Sequence, residues 1–452
     1  MNTPIVDFVK KYSDQNALRL HMPGHKGNNF LGLENIDVTE IDGADVLYDA
    51  QGIIKQSEQN ASSIFETKNT FYSTEGSSLA IRAMLYLVKA YANQRQKKPF
   101  IAAGRNAHKT FVTACGLLDF DVDWLFPDNI QTVISCVITA EYLENYLQNA
   151  TPKPVAVYIT SPDYLGNITD IQALSAICHR HGVLLIVDNA HGAYLKFLPY
   201  DLHPITLGAD MCCDSAHKTL PVLTGGAYLH ISNGAPSFFA ENAQRALSFF
   251  ASTSPSYLIL QSLDMANKYI SDQYSDVLAK FITKLDSLKI ELSDMGYVLL
   301  GDEPLKLTVG CKSYGYSGYE FSDILLHQNI VCEFADPDYV VMMLTPEIGD
   351  SGLERLKAAL SQIKPKEAIT SFSPIPMPKK RKLSLKEALF SSNLNLRAED
   401  CLGKISASAN VACPPAIPIV IPGEEIDNNT IECFKYYGIQ ECLVVDNTFN
   451  HS

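Results

Sequence analysis

The feature that most constrains the fold is a series of short apolar runs that alternate with helical patterns over the first two-thirds of the chain. Residues 183–187 read Val-Leu-Leu-Ile-Val, and related runs lie at 100–103, 155–160, 209–214 and 226–231. A helical pattern at 171–181 separates two of these runs. Continuous apolar strands that alternate with helices are typical of a mostly parallel sheet covered on both faces. The pattern therefore predicts an α/β fold.

The length of the chain predicts more than one domain. A single hydrophobic core rarely serves 452 residues, so we expect two or three domains. The patterns predict an N-terminal segment and large domain at 1–290, and a smaller α/β domain at 291–365. A Pro-rich linker and a C-terminal module are predicted at 366–452.

Charge and cysteine usage exclude several kinds of partner and compartment. Lys and Arg number 36 against 50 Asp and Glu, and the net charge of −14 argues against nucleic acid or anionic membrane as a partner. The 11 cysteines are scattered without a Cys-x-x-Cys pair, which predicts reduced thiols in a cytoplasmic protein. We see no signal-peptide pattern at the start and no apolar run long enough to span a bilayer.

Two polar residues, thirty positions apart, carry the main chemical signal. Asp188 closes the apolar run at 183–187, and Lys218 stands within Ser-Ala-His-Lys-Thr-Leu at 215–220. Ligands of such sheets bind at the carboxyl ends of strands. The layout predicts a pyridoxal 5′-phosphate (PLP) site in which Lys218 forms the Schiff base and Asp188 pairs with the pyridine nitrogen. The alternatives are a surface lysine and a carboxylate that caps a turn.

A phosphate cradle is predicted where Gly76, Ser77 and Ser78 precede an amphipathic helical pattern. Backbone N–H groups and the dipole at a helix start favour a dianion, although an ordinary Ser-capped helix has the same pattern. Ser215 and His217 are candidates to complete the cradle. Glu75 puts a carboxylate beside it, which either points away, toward a cationic substrate, or weakens phosphate binding.

Histidines supply the remaining candidates. His108 follows a predicted strand and opens a helix, where its ring could stack on the pyridine face or cap the helix. His191 either contacts the cofactor or packs in the fold. His21 and His25 are four residues apart, but Pro23 and Gly24 between them argue against a helix, and we expect no metal site.

Together with the Pro-Gly-His-Lys-Gly loop at 23–27, the turn at 253–257 and the Pro-rich stretch from Pro414, these motifs resemble the Orn/Lys/Arg decarboxylase family of fold type I PLP enzymes, in particular its short bacterial members. The resemblance implies an aminotransferase-like large domain and a smaller C-terminal α/β part. It also implies Lys218 in the Schiff base, Asp188 on the pyridine nitrogen, His108 on the ring and His191 beside it. The phosphate site that it implies consists of Ser77, Ser78, Ser215 and His217.

The resemblance implies the reaction and the assembly as well. The reaction would be α-decarboxylation of arginine, lysine or ornithine to an amine, as in polyamine biosynthesis. We expect no N-terminal wing domain, because the Pro-Gly-His loop begins at residue 23. The expected assembly is a cytoplasmic homodimer, or at most a tetramer of dimers, with its sites between chains and with Thr253 and Ser254 reaching the partner's phosphate.

Alternatives remain for the activity and for substrate recognition. Another fold type I activity, such as an aminotransferase or a β-eliminating lyase, fits the same cofactor residues. A PLP-binding protein without catalysis fits them too. Glu333 is one acidic candidate for the distal charge of the substrate, beside a structural role.

Overall fold

The structure, a computed structural model, describes residues 1–127, 130, 132–371, 373–375, 377–410, 412–413 and 416–446. It contains two compact units, each built from two stretches of chain. The first unit comprises Met1–Gln96 and Ile171–Ala279, and the second comprises Lys97–Asp170 and Lys280–Ser452. The predicted domain boundaries at 290 and 365 follow chain order and stay a prediction. Pro376, Pro414 and Pro415 of the Pro-rich stretches lie outside the described residues.

Helices and strands alternate as the apolar pattern predicts. Up to residue 170 the elements are α1 (Pro4–Asp14), α2 (Ile53–Phe65), β1 (Asn69–Ser73), α3 (Gly76–Gln94), β2 (Phe100–Gly104), α4 (Lys109–Leu117), β3 (Asp121–Leu125), α5 (Ala140–Asn149) and β4 (Ala156–Thr160). From there to residue 269 they are α6 (Ile171–Arg180), β5 (Leu184–Asp188), β6 (Met211–Asp214), α7 (Ala216–Thr219), β7 (Ala227–Ile231), α8 (Ser237–Ser248) and α9 (Tyr257–Tyr269).

The last part of the chain holds shorter elements. They are α10 (Ser275–Asp294), β8 (Val298–Leu300), β9 (Lys306–Gly310), α11 (Gly318–His327), β10 (Phe334–Ala335), β11 (Tyr339–Met343), α12 (Gly349–Gln362), α13 (Leu385–Phe390), β12 (Asn393–Arg397), β13 (Ala412–Cys413), β14 (Ile417–Pro418), α14 (Asn428–Tyr436) and β15 (Glu441–Val445). A π-helical turn at Ile270–Tyr274 joins α9 to α10.

In the first unit, four strands lie side by side in the order β1-β7-β6-β5. β5 and β6 are parallel, with Ile186 opposite Met211 and Asp188 opposite Cys213. β7 runs antiparallel to both β6 and β1. Every residue of β5, β6 and β7 is buried, which explains why these strands read as continuous apolar runs.

In the second unit, β4, β2 and β3 form parallel neighbours in that order. Smaller antiparallel sheets follow, with the orders β10-β11-β9-β8, β12-β15 and β13-β14. A core that includes Leu165, Phe334, Val341, Ile419 and Phe434 packs within this unit. The predicted fold class, a mostly parallel α/β part followed by smaller C-terminal sheets, is confirmed.

Membrane insertion finds no support in the helices. Within the part of the chain that the structure describes, no helix has both the length and the apolar character that a bilayer crossing needs.

Candidate active site

The predicted lysine and its neighbours lie at the carboxyl ends of β5 and β6. Because these strands are parallel, the turns that follow them leave the same edge of the sheet. Asp188 is the last residue of β5, and Lys218 lies in the short helix α7 just after β6. The Lys218 Nζ lies 2.9 Å from the His191 Nε2. The structure thus brings two of the predicted residues into contact beside the turn that begins at Asp188.

Asp188 is held at the start of that turn by close neighbours. It is buried, and its Oδ1 accepts a hydrogen bond from the Ala190 N–H at 3.2 Å. The Cys213 thiol on β6 donates to the same oxygen at 3.6 Å. These contacts fix the direction of the carboxylate that the sequence assigns to the pyridine nitrogen.

The shape of the turn depends on a glycine and an asparagine. The Gly192 N–H donates to the Asn189 carbonyl at 2.8 Å, and the Asn189 N–H donates to the Cys213 carbonyl at 3.0 Å. A Cβ at position 192 would lie 2.0 Å from the Asn189 Oδ1, so only glycine fits there. The backbone that carries Asp188 and His191 is therefore closely constrained.

The residues predicted to form the phosphate cradle lie together at the N-terminus of α3. The Ser215 hydroxyl donates to the Ser77 hydroxyl at 2.7 Å, which joins the two stretches that the sequence assigns to the phosphate. The Gly76 N–H donates to the Gly225 carbonyl at 2.7 Å. At Gly225 the backbone φ of +100° and a Cβ position 2.8 Å from the Thr74 carbonyl oxygen both require glycine.

His217 and Ser78 complete this group. The His217 Nδ1 donates to the Gly226 carbonyl at 3.0 Å, because a carbonyl oxygen only accepts. Ser78 lies half-buried in the first turn of α3. A helix start with hydroxyls from two segments suits a phosphate dianion, so these residues fit the phosphate of PLP.

Glu75 is turned toward a neighbouring loop. Its carboxylate Oε1 accepts from the Ser252 N–H at 2.7 Å. The Ser254 N–H in turn donates to the Ser252 hydroxyl at 3.1 Å. Thr253 and Ser254 are exposed on this turn. Glu75 therefore tethers the turn that the resemblance assigns to the partner's phosphate.

Other predicted residues have local roles in the structure. In the second unit, His108 is the N-cap of α4, and its Nδ1 accepts from the Thr110 N–H at 3.2 Å. The predicted helix start is confirmed, and its stacking on a cofactor stays a prediction. The Glu333 carboxylate accepts from the Tyr164 hydroxyl at 3.0 Å. In the first unit, the His25 Nε2 lies 3.1 Å from the Asp37 Oδ2, within an irregular loop.

The sequence interpretation missed a buried polar cluster behind the site. Asp214 ends β6, and its Oδ2 accepts from the Nε2 atoms of His203 and His230, both at 3.1 Å. Its Oδ1 accepts from the Asn189 Nδ2 at 2.7 Å. A carboxylate that closes the apolar run Met-Cys-Cys-Asp, as Asp188 closes the run before it, was the available signal.

Comparison with known proteins places the chain in a family. The family model described as "Orn/Lys/Arg decarboxylase, major domain" matches residues 3–300. The chain belongs to the Orn/Lys/Arg decarboxylase family. Members of this family are PLP-dependent amino-acid decarboxylases, and the resemblance drawn from the motifs is confirmed.

Relatives and solved structures cover nearly the whole chain. It is 29% identical to YaaO of Bacillus subtilis, over 96% of this chain and 93% of that protein. It is 28% identical to the arginine decarboxylase of Halalkalibacterium halodurans, over 95% of this chain and 92% of the other. The lysine decarboxylase LdcF of Francisella novicida matches with a TM-score of 0.80 at 17% identity, over 98% of this chain and 81% of that one. The constitutive lysine decarboxylase of Escherichia coli matches with a TM-score of 0.78 at 16% identity, over 98% and 82%. At these identities, the structural matches of this decarboxylase-family chain support the fold alone.

Proposed function

We propose that this chain is a PLP-dependent decarboxylase of a basic amino acid, either arginine, lysine or ornithine. The observation that carries the proposal is the 2.9 Å approach of the Lys218 Nζ to the His191 Nε2, next to the turn that begins at Asp188. Relatives that are named arginine decarboxylase and cover 95% of the chain support the reaction class.

Each of the described side chains then has a part in holding the cofactor. Lys218 would carry PLP covalently, and the buried Asp188 carboxylate would face the pyridine nitrogen. His108 would lie on the ring face. The phosphate would be bound by Ser77, Ser78, Ser215 and His217, with Thr253 and Ser254 contributed to the site of a partner chain. Bound PLP supplies an electron sink for the charge left on the α-carbon when carbon dioxide departs.

The residues around Lys218 also serve the proton step. The bond from the α-carbon to the carboxylate breaks, and a proton must take the place of carbon dioxide on that carbon. The Lys218 amine and the His191 imidazole are close enough to share a proton between Nζ and Nε2. We assign delivery of this proton to the His191–Lys218 pair.

The N-terminal loop supports a homodimer. Large apolar side chains stand far out of the fold there, with Leu18 84%, Leu20 83%, Phe30 79% and Leu31 89% exposed. Clustered exposed apolar groups of this kind mark protein contact surfaces, and symmetric pairing of identical chains is the commonest way to cover them. A second copy of this chain, which would also receive the Thr253–Ser254 turn, is the partner that we propose.

The test is a substrate screen on the purified full chain. With PLP, wild type should absorb visible light and release carbon dioxide and one amine from arginine, lysine or ornithine. Lys218→Ala should lose both signals. Lys268→Ala, which changes a lysine on the surface of α9 paired with Asp272, should keep both.

Three results would contradict the proposal. Wild type that stays colourless with PLP would show that the chain does not form the proposed bond to PLP. A keto acid in place of carbon dioxide would indicate an aminotransferase. Analytical ultracentrifugation that finds only monomers would contradict the proposed homodimer.

A further inference from the structure

The cluster around Asp214 is closed off from solvent. Asp214, His203 and His230 are each 0% exposed. The Asp214 carboxylate accepts hydrogen bonds from the two imidazole Nε2 atoms, from the Asn189 amide and, at 4.0 Å, from the Cys212 thiol. A buried carboxylate without donors would become neutral or would destabilise the fold, whereas these donors keep it anionic.

The hydrogen bonds assign neutral imidazoles to both histidines. The His230 Nδ1 lies 2.8 Å from the Thr70 hydroxyl, which can donate to it when the His230 proton is on Nε2. Among the residues that the structure describes, the buried His203 Nδ1 has no hydrogen-bond partner, so a proton there would be an unpaired donor. Burial lowers the pKa of His230, and Asp214 only partly offsets this. Both rings then direct an Nε2–H at Asp214, and the cluster keeps one negative charge.

Asn189 connects this charge to the turn after β5. The side-chain amide nitrogen of Asn189 donates to Asp214, and the backbone carbonyl of Asn189 accepts from the Gly192 N–H at 2.8 Å. The close approach of the Asn189 amide to position 192 leaves little freedom for the backbone between them. This turn carries Asp188 at one end and His191 near the other. A shift of Asn189 would therefore move both residues.

Asp214 also continues directly into the stretch that bears the lysine. Ser215 follows it and bonds Ser77, and Lys218 lies one helical turn further on, in α7. The same residue thus holds the turn after β5 through its side chain and begins the turn after β6 through its backbone.

We propose that Asp214 is a positioning residue, which sets His191 and Asp188 against Lys218 by holding Asn189. This inference rests on the proposed PLP function and adds a determinant of that site. Asp214 itself touches neither the substrate nor the cofactor in this proposal. It acts through Asn189.

Two imidazoles and one carboxylate are also a ligand set for zinc. Their ligand atoms all lie within 4.8 Å of one another. Structural zinc sites use four protein ligands, and this group among the described residues contains three. Both nitrogens lie at hydrogen-bond distance from the carboxylate, and Asn189 occupies its other oxygen. The contacts therefore favour a hydrogen-bonded cluster.

The experiment compares Asp214→Asn and Asn189→Ala with wild type and with Asp210→Asn. Asp210 is a matched control, because it is also buried and lies directly before β6, the strand that Asp214 ends. Asp210 accepts from the Leu185 N–H at 2.8 Å, at the end of β5 opposite to Asp188. For each full-length protein, PLP is titrated by visible absorbance, the absorbance is followed against pH, and kcat and KM are measured. Metal content is determined on wild type.

We expect kcat to fall about a hundredfold in both Asp214→Asn and Asn189→Ala, with KM changed much less, because reacting groups are misplaced. The pH midpoint of the absorbance should move to lower pH in Asp214→Asn, where a negative charge is lost. The double variant should have a kcat no lower than that of either single variant, since each single substitution already removes the same contact between Asn189 and Asp214. Asp210→Asn should keep the wild-type kcat and midpoint.

The failures are separable. Wild type without PLP absorbance overturns the proposed function. Wild type with PLP absorbance, but with Asn189→Ala at normal kcat, overturns the positioning role, even if Asp214→Asn does not fold. Additive losses in the double variant or a stoichiometric metal ion in wild type also overturn it.

Discussion

Two carboxylates of the first unit, Asp214 and Asp264, are equally buried and have opposite charge behaviour. Both are 0% exposed. Burial alone would raise the pKa of Asp214, but His203 and His230 hold it well below its usual range. Burial raises the pKa of Asp264 to about 6, although Ser57 donates to it at 2.6 Å. Depth of burial does not decide the charge of these groups, whereas the kind of donor does.

The two carboxylates hold different parts of the unit. Asp264 accepts from the N–H groups of Ile5 and Val6 at 2.9 and 3.1 Å, so it anchors the first turn of α1. Asp214 anchors the Asn189 turn instead. One buried carboxylate supports the attachment of an N-terminal helix, and the other supports the geometry of the proposed site.

The largest expected effect comes from Asp188, which lies in the turn that Asp214 supports. Asp188→Ala should retain part of the PLP absorbance and lower kcat by about a thousandfold, the size expected when an electrostatic partner of the reacting system is removed. Absorbance and steady-state kinetics measure this. Turnover near that of wild type would refute the assigned role and would indicate that Asp188, like Asp264, serves only the structure.

Asp264 should affect stability and its pH dependence. Its pKa is raised in the folded state, so the folded chain binds the proton more tightly than the unfolded chain does. The free energy of unfolding should therefore fall as pH rises from about 4 to about 6, by no more than about 3 kcal/mol. Asp264→Asn should lack this part of the decline in urea unfolding curves.

The matched control for that slope is Asp276→Asn, which changes an exposed carboxylate on α10. It should keep the wild-type decline. Burial raises the pKa of Glu58 to about 8. Glu58 therefore adds the same decline of the free energy of unfolding with pH to wild type and to both variants. Identical curves for wild type and Asp264→Asn would remove the contrast between the two carboxylates.

The smallest expected effect is at Glu75, which acts through an exposed hydrogen bond. Glu75→Ala removes the acceptor of the Ser252 N–H and should weaken PLP binding about two- to fivefold, the size of one such bond. Glu75→Gln keeps an acceptor oxygen and removes the charge, so it should bind PLP at least as well as wild type. Equal weakening in both variants would show that the charge, and not the tether, matters.

The sequence predicted the elements that read as continuous patterns. The buried strands β5, β6 and β7 and the helix starts at Gly76 and Lys109 follow from apolar runs and caps. It did not predict β1, whose Asn, Thr and Ser interrupt the apolar pattern, nor the short β3. β1 holds only two apolar residues, Phe71 and Tyr72, although most of the strand is buried, and β3 carries Asp121 and Asp123, so neither strand has a continuous apolar run.

For the site, residue identities could be predicted and contacts could not. Asp188, Lys218, Ser77 and Ser215 each close or open a recognisable element. The bond between Asn189 and Asp214 depends on the register of β5 against β6, which pairs residues 25 positions apart. Single-sequence patterns contain no information on that register, and the His203–Asp214–His230 cluster was missed for the same reason.

The pairing of β1 with β7 has a consequence for synthesis of the chain on the ribosome. Thr70 meets His230 across 160 residues, and Asn69 lies opposite Ile231. Chains emerge N-terminus first, so β1 leaves the exit tunnel long before its neighbour β7 is made. The whole stretch Lys97–Asp170, which belongs to the other unit, is translated in between. The nascent chain therefore carries an unpaired strand through a third of its synthesis, and chaperones that bind exposed strands have that interval in which to act.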